Sequence, residues 1–451
     1  MVDDHEILYR RNLTRLIERP VRVQQGPILQ PEHPWEGDGV HLWGSVYREA
    51  DLYRMWYLGI SRGNTKLESS ICLATSTDGL TWTRALANQW PFEGQTPTNI
   101  VIRDHRDPQL KGMHPFTVLK DPVDPDPPRR YKFLSWITVA RRKHGYVTAY
   151  SADGVEWTLG PRQVIPRGDR TSVMQDFIRG GFVMASRGDH RSRDRLAGHR
   201  PKRDVAVSRS LDFEDWSSGI RIIEADDDDP PELEFYGMPM FVWGNQYLGL
   251  LEAYDPVNEL LNVQLATSRD ADTWERACSR RTYFDVGSSD RWDSTWVAFG
   301  MTPPVVVGDE MLFWYTGRPM AHRRATKTGL VSAIGVARAP RDRFAGLRAG
   351  PDGGEMTTDW VEVGGPRLLI NIGAASDAAS IALTGDDGQP LEGFGHDACD
   401  LAIANGVDVE ATWRGRNVAS LIGHRIRLHI HIRYGTLYAY RFASREPSRG
   451  E

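Results

Sequence analysis

The chain has 451 residues, 40% of them hydrophobic and 25% charged, with a formal net charge of −5. Its length suits one large domain and one small one, and its charge argues against a nucleic-acid partner, which calls for a basic surface. The three cysteines, Cys72, Cys278 and Cys399, are far apart, which excludes a disulfide framework and a paired-cysteine zinc site.

The N-terminus, MVDDHEILYRRNLTRLIERP, lacks the apolar core of a signal peptide. No run anywhere reaches the ~20 apolar residues that span a bilayer. The expectation is a cytoplasmic protein without a membrane partner, its oligomeric state open to a homo-oligomer. Residues 6–19, with Ile7, Leu8, Leu13, Leu16 and Ile17, are expected to form one short helix inside an extension over residues 1–25. Little else is helical. The 15 Trp, 15 Tyr and 14 Phe fall in short alternating runs bounded by Gly, Pro or Asp, which read as strands.

A repeat organises the next part of the chain. ATSTDGLTW at 74–82 returns as AYSADGVEW at 149–157, AVSRSLDFEDW at 206–216 and ATSRDADTW at 266–274, with a degraded copy, GVARAPRDRF, at 335–344. Small residues, Ser, Asp and an aromatic make a strand, a tight turn and an apolar anchor, and Asp-Gly supplies the positive φ of such turns. Each copy follows a strand of like character: YRMWYLG (53–59), YKFLSWI (131–137), FVMASR (182–187), YLGLLEAY (247–254) and MLFWYTG (311–317). Ahead of those stand HLWGSVY (41–47), HPFTVLK (114–120), QDFIR (175–179), YGMPMFVW (236–243) and MTPPVVV (301–307). Five such antiparallel units arranged radially make a five-bladed β-propeller over residues 26–350.

After Gly350 the frame disappears. LLINIGAA (368–375), SIALTG (380–385), DVEATW (408–413) and RIRLHIHIRYGTLYAYRF (425–442) alternate apolar and polar, and the last is expected to fold as a hairpin about Tyr434-Gly435. The fold class is therefore all-β: the propeller followed by a C-terminal β-sandwich over residues 351–451, with GPDGGE (350–355) as the boundary.

Innermost strands of a propeller line one channel, so polar residues leading them share a cavity. Asp38, Asp176, Glu234 and Asp293 are the candidate catalytic residues, since converging carboxylates shift one another's pKa as acid–base chemistry requires. Glu36, His41, His114, Tyr236, Trp292, Trp296, Arg318 and His322 are the candidate binding residues, the aromatics placed to stack on sugar rings. A single Asp at a strand start is more often a turn former; the shared place in the repeat favours the set. The acidic tract ADDDDPPELE (225–234) reads as a solvated loop, without the spacing of an EF-hand, and neither a metal site nor a cofactor is expected. GRPMAHRRATK (317–327) is a basic loop whose Arg318, His322, Arg323 and Arg324 suit an anion.

The frame YRMWYLG … ICLATSTDGLTW resembles the five-bladed propeller glycosidases of families 32, 43 and 68. The tail LRAGPDGGEMTT … LINIGAASDAASIALTGDDGQPLEGFGHDACD … ATWRGRNVASLIGHRIRLHIHIRYGTLYAYRF is similar to that of bacterial family-32-like proteins. The resemblance runs from about Gly26 to Phe442 and implies a furanose- or sugar-acting enzyme. The family-32 nucleophile turn is missing where HLWGSVY stands; Arg106-Asp107-Pro108 lies ahead of the second unit's strand; no Glu-Cys pair occurs in TSVMQDFIR. The catalytic residues therefore do not carry over by motif.

The expected activity is a glycoside hydrolase or transglycosylase acting on a furanoside or small modified glycoside. Glu234 would be the acid, Asp293 or Asp38 its partner, and Asp176 would orient the sugar. Carboxylates about 5–5.5 Å or 6.5–9.5 Å apart would mark retaining or inverting hydrolysis. The alternatives are a non-catalytic carbohydrate-binding propeller and a glycoside phosphorylase using the 318–324 loop.

Overall fold

The computed structural model describes residues 1–62, 67–86, 90–102, 115–140, 143–163, 168–189, 202–321, 331–375, 378–401 and 405–444. Strands dominate it, and no helix among those residues is long and apolar enough to cross a membrane.

The segment expected as an N-terminal helix is two strands, Ile7–Arg11 and Leu13–Ile17. They pair with Gly354–Thr358 and Ala345–Ala349, far along the chain. A lone helix of this length is marginal in water, whereas the distant strands offer complete backbone partners. Asn12, at φ 54, makes the break between the two, a conformation Asn tolerates.

Five antiparallel groups follow. The first comprises Gly39–Glu49, Leu52–Arg62, Leu67–Ser76 and Thr83–Arg84. The second is Phe116–Lys120, Tyr131–Ala140, Lys143–Ser151 and Thr158–Gln163; the third is Thr171–Gln175, Phe182–Asp189, Arg203–Ser210 and Ile220–Ile223. The fourth is built on Met240–Trp243, Gln246–Asp255, Leu260–Ser268 and Trp274–Arg276, and the fifth on Trp296–Phe299, Glu310–Arg318 and Ala333–Pro340. These last two touch through a single parallel pairing, Leu261 with Trp296. The outermost strand of the fifth group is Val21–Arg22, from near the start of the chain.

The repeated frame is a hydrogen-bonded unit. Ser76 Oγ accepts from the N–H groups of Asp78 and Gly79, Asp78 Oδ1 accepts from Leu80 and Thr81, and Trp82 Nε1 donates to Gly79 O. Ser151 with Asp153, Ser210 with Asp212 and Ser268 with Asp270 repeat the backbone contacts. The residue after each Asp has positive φ: Gly79 at 74, Gly154 at 75, Phe213 at 70 and Ala271 at 57.

Each of these turns docks on the group before it. Trp56 Nε1 donates to Gly154 O at 2.8 Å. Arg129 and Tyr150 hold Glu214, and Arg179 and Arg209 donate to Asp270 O. Trp243 Nε1 donates to Asp342 Oδ1, and Trp314 Nε1, in the fifth group, returns to Gly79 O in the first. The groups are linked in the same order near their leading strands by Val118 N–H to Ser45 Oγ, Val173 N–H to Thr117 Oγ1, Ser172 Oγ to Met238 O and Val46 N–H to Thr302 Oγ1. The fourth and fifth meet at Leu260–Ser268, where Leu261 N–H donates to Thr295 O. The contacts thus make a closed circuit.

The remaining strands form two sheets that share one apolar core, with Met356, Ile381, Leu428 and Ile430 from one and Leu347, Leu368 and Ile370 from the other. Arg425–Ile432 and Gly435–Ala443 are not a hairpin. The first pairs with Gly354–Thr358 and Ala379–Thr384, the second with Ala345–Ala349 and Arg367–Ala374. Tyr434, at φ 50, turns the chain from one sheet into the other. Ala345–Ala349 lies in these sheets as well, so the change of architecture falls after Phe344, ahead of the expected boundary.

Candidate functional site

Strand register sorts the candidate carboxylates between two ends of the groups. Glu234 pairs with Tyr254, Leu261 with Trp296, Trp296 with Arg318, and Gly317 with Ala333. Val331 N–H, two residues before Ala333, donates to Asp38 O at 2.8 Å. Glu234, Tyr236, Trp296, Arg318 and Asp38 therefore share one end.

Asp176 belongs to the other. The strand expected over 175–179 runs instead over Thr171–Gln175, so Asp176 ends an inner strand rather than leading it. Its Oδ1 accepts from Tyr247 Oη at 2.7 Å and from the N–H groups of Ile178 and Arg179, and its Oδ2 lies 3.4 Å from Arg209. Tyr247 and Tyr254 stand seven residues apart on one strand, about 23 Å at ~3.3 Å per residue. The expected convergence of four carboxylates leaves Asp176 out.

Glu234 is buried and accepts from Arg203 Nη1 at 2.5 Å. The Arg203 guanidinium lies 5.5 Å from the Tyr236 ring and 5.6 Å from that of Tyr254. Burial works against its charge, yet Glu234 more than offsets this, and the Arg203 pKa is raised. Tyr236 meets Trp296 edge-on at 4.7 Å, and burial, reinforced by Asp169, pushes its hydroxyl up to about 12. Trp296 is 1% exposed, and Arg318 lies 5.4 Å over its ring. That ring face, expected to be open to a sugar, is covered by the guanidinium. Arg318 is itself buried, and burial lowers its pKa.

A second ion pair adjoins this cluster. Arg170 Nε donates to Glu252 Oε2 at 2.8 Å and its Nη2 to Glu252 Oε1, both side chains being almost wholly buried. The Arg170 guanidinium lies 5.6 Å from Trp43, whose ring is 4.7 Å from His41. Arg187 pairs with Asp169 at 2.7 Å. Gly237 is required here: a Cβ would fall 2.2 Å from Arg170 Cγ and 2.9 Å from Glu252 Oε2. The sequence reading passed over Arg170, Glu252, Arg203 and Trp43. A carboxylate in the middle of the apolar run YLGLLEAY was the available signal, because an ionised group is fully buried only when paired.

Two other candidates are engaged elsewhere. Glu36 is fully buried, accepting from Tyr57 Oη, from Arg84 and from the N–H groups of Glu32 and His33. Asp293, also fully buried, accepts from Arg22 Nε at 2.6 Å, Tyr315 Oη at 2.9 Å and Arg291 Nε at 3.2 Å. Trp292 stacks on Tyr315 at 5.6 Å and donates to Gln25 O. His114 and His322, with Arg323 and Arg324, lie outside the described residues. In the acidic tract, Asp229 binds Arg276 and Asp226 binds Arg280, while Asp226, Asp227 and Asp228 are exposed.

No protein-family model matches the chain, and no curated protein matches it. Solved structures share its fold, glycoside hydrolases and phosphorylases among them. The β-1,2-mannobiose phosphorylase of Listeria innocua, in complex with β-1,2-mannobiose, aligns at a TM-score of 0.51 and 12% identity over 72% of this chain and 97% of that one. A glycosyl hydrolase of Bacteroides ovatus aligns at 0.50 and 12% identity over 74% and 98%. A structure from family 130, whose mannoside phosphorylases include hydrolases targeting β-1,2-mannosidic linkages in Candida mannan, aligns at 0.50 and 12% over 72% and 95%. At such identities the likeness is one of fold.

Proposed function

We propose that the chain is a glycoside hydrolase, or a transglycosylase of the same chemistry, acting on a furanoside or small modified glycoside. In this reading the five groups are the blades of a five-bladed β-propeller, and the two C-terminal sheets are an appended β-sandwich. The observation that carries it is Glu234, buried and held by Arg203 beside Tyr236, at the end of the strands where Asp38 also stands. A carboxylate gripped by a guanidinium suits a nucleophile, or a base that activates water, better than the acid first assigned to it. Asp38 is then the proton donor to the leaving oxygen. Tyr236, Trp43 and His41 shape the binding pit, while Glu36, Asp176 and Asp293 hold the scaffold that positions it.

One feature favours phosphorolysis as a second reading. Arg170, Arg187 and Arg203 lie around Tyr236, each paired to a carboxylate, and Arg318 lies over the adjoining Trp296; a phosphate would have to share these guanidiniums with Glu252, Asp169 and Glu234. Aryl furanosides and pyranosides, assayed with and without inorganic phosphate, test both. Release of free sugar without phosphate supports hydrolysis; a phosphate requirement and a sugar phosphate product select phosphorolysis; binding without turnover rejects both.

A further inference from the structure

The outer face of the C-terminal sheets carries a cluster unrelated to that site. Along Arg425–Ile432, Ile426, Leu428, Ile430 and Ile432 are buried in the core. The alternation of a strand therefore turns His429 and His431 to the opposite face. Gly354–Thr358 pairs alongside, with Glu355 opposite His431. His396 comes from the short 3-10 turn His396–Ala398, so its approach is set by tertiary packing rather than by any local spacing.

The three imidazoles each offer one ring nitrogen, and those nitrogens all lie within 4.8 Å of one another. His396 Nε2 and His429 Nδ1 are 3.3 Å apart. Two ligands at the usual ~2.0–2.1 Å from a tetrahedral zinc stand about 3.3 Å apart. The rings of His396 and His431 stack at 4.1 Å, and those of His429 and His431 meet at 4.6 Å.

The outward nitrogens have their own partners. His396 Nδ1 is 2.9 Å from Ser380 Oγ. His429 Nε2 is 3.6 Å and His431 Nε2 3.2 Å from Glu355 Oε2. With His396 donating its Nδ1–H to Ser380, its Nε2 accepts from His429 Nδ1, and a bound ion would take the place of the proton shared between those two nitrogens. Outer hydroxyls and carboxylates fix the tautomer and aim of metal-bound histidines in this manner.

We propose that His396, His429 and His431 bind one divalent ion of the zinc class, with Ser380 and Glu355 as outer partners and water completing the coordination. Three imidazoles select borderline transition ions over magnesium or calcium, which prefer oxygen. His431, its side chain 46% exposed and stacked on His396, would have to turn about its own side-chain bonds to bring the third nitrogen to bonding distance. The ion ties the 396–398 turn to the strand bearing His429 and His431, so its role is to clamp this part of the fold.

The test uses the full-length protein, stripped with a chelator and titrated calorimetrically with Zn²⁺, then with Co²⁺ while its visible absorption is followed. The expected result is one equivalent bound, Co²⁺ bands of four-coordinate intensity, and a melting temperature raised by a few degrees, since a ligand of the native state stabilises it. His396→Ala and His429→Ala abolish that binding, and Glu355→Gln weakens it about 10–100-fold. Should the histidine variants fail to fold, Ser380→Ala, which leaves all three ligands in place, is expected to weaken binding by a similar factor. No uptake of Zn²⁺, or uptake that Glu355→Gln and Ser380→Ala leave unchanged, overturns the proposal. None of these readouts depends on glycosidic activity.

Discussion

Arg203 Nη1 reaches Glu234 Oε2 across 2.5 Å, joining the third antiparallel group to the fourth at the end where Asp38 stands. Glu234 is thereby fixed in direction, and the aromatic rings of Tyr236 and Tyr254 hold the guanidinium from its other sides.

Glu234→Gln keeps the shape and an acceptor for Arg203 while removing the charge. Turnover is expected to fall by about 10²–10⁴-fold with the melting temperature nearly unchanged. Arg203→Met should cost stability as well, about 3 kcal/mol, because it strands a buried carboxylate. Steady-state rates alongside thermal melts separate the two effects. Wild-type turnover in Glu234→Gln would remove this residue from the chemistry.

Asp176→Ala should behave in the reverse way. The carboxylate accepts four bonds at the far end of the groups, so its loss is expected to lower stability by about 3 kcal/mol and leave kcat intact. A tenfold fall in kcat at an unchanged melting point would return Asp176 to the site.

Gly237→Ala places a methyl group against Arg170 Cγ and Glu252 Oε2. Overpacking of this kind costs about 1–3 kcal/mol. If the Arg170–Glu252 pair shapes the pit, KM should rise with the loss of its alignment. A variant as stable and active as the parent would mean that the backbone yields there at little cost.

Acid stability should be governed in part by the four repeated turns. The N–H groups of Thr81 and Leu80 bring Asp78 down to about 2, with burial opposing. Asp212 is lowered by the N–H groups of Asp215 and Glu214. For Asp153 and Asp270 burial acts in the raising direction, and the backbone donors overcome it. Folded-state values below the unfolded ones give stability that is complete above about pH 4 and is lost as pH falls toward 2. Circular dichroism along an acid titration should show the transition in that window, and Asp78→Asn should reduce its pH dependence. An unchanged titration would place the controlling groups elsewhere.

The repeated turns were legible in the sequence because their chemistry is local: a Ser, an Asp and an aromatic within seven residues make most of the bonds. Asp176 was misplaced by a strand boundary, since QDFIR alternates well enough to pass for a strand while TSVMQ is the one that pairs. Glu36 stands in the 3-10 turn Pro34–Glu36 ahead of the strand Gly39–Glu49, and its duty is set by Arg84 and Tyr57, whose approach is a property of the folded chain. The N-terminal strands escaped notice for the same reason: apolar spacing in residues 6–19 is compatible with a helix, and only partners beyond residue 340 decide against it.

Those partners have a consequence for how the chain assembles. Val21–Arg22 completes the fifth group against Ala337 and Arg338, and Arg22 also binds Asp293 of that group. Residues 7–17 complete both C-terminal sheets. During synthesis, residues 7–22 therefore emerge some three hundred positions ahead of the strands they pair with. Until then they present unpaired strand edges, which invite association with other chains. The fifth group and the C-terminal sheets should acquire protection from hydrogen exchange together and late, after the second and third groups, which draw their strands from contiguous sequence.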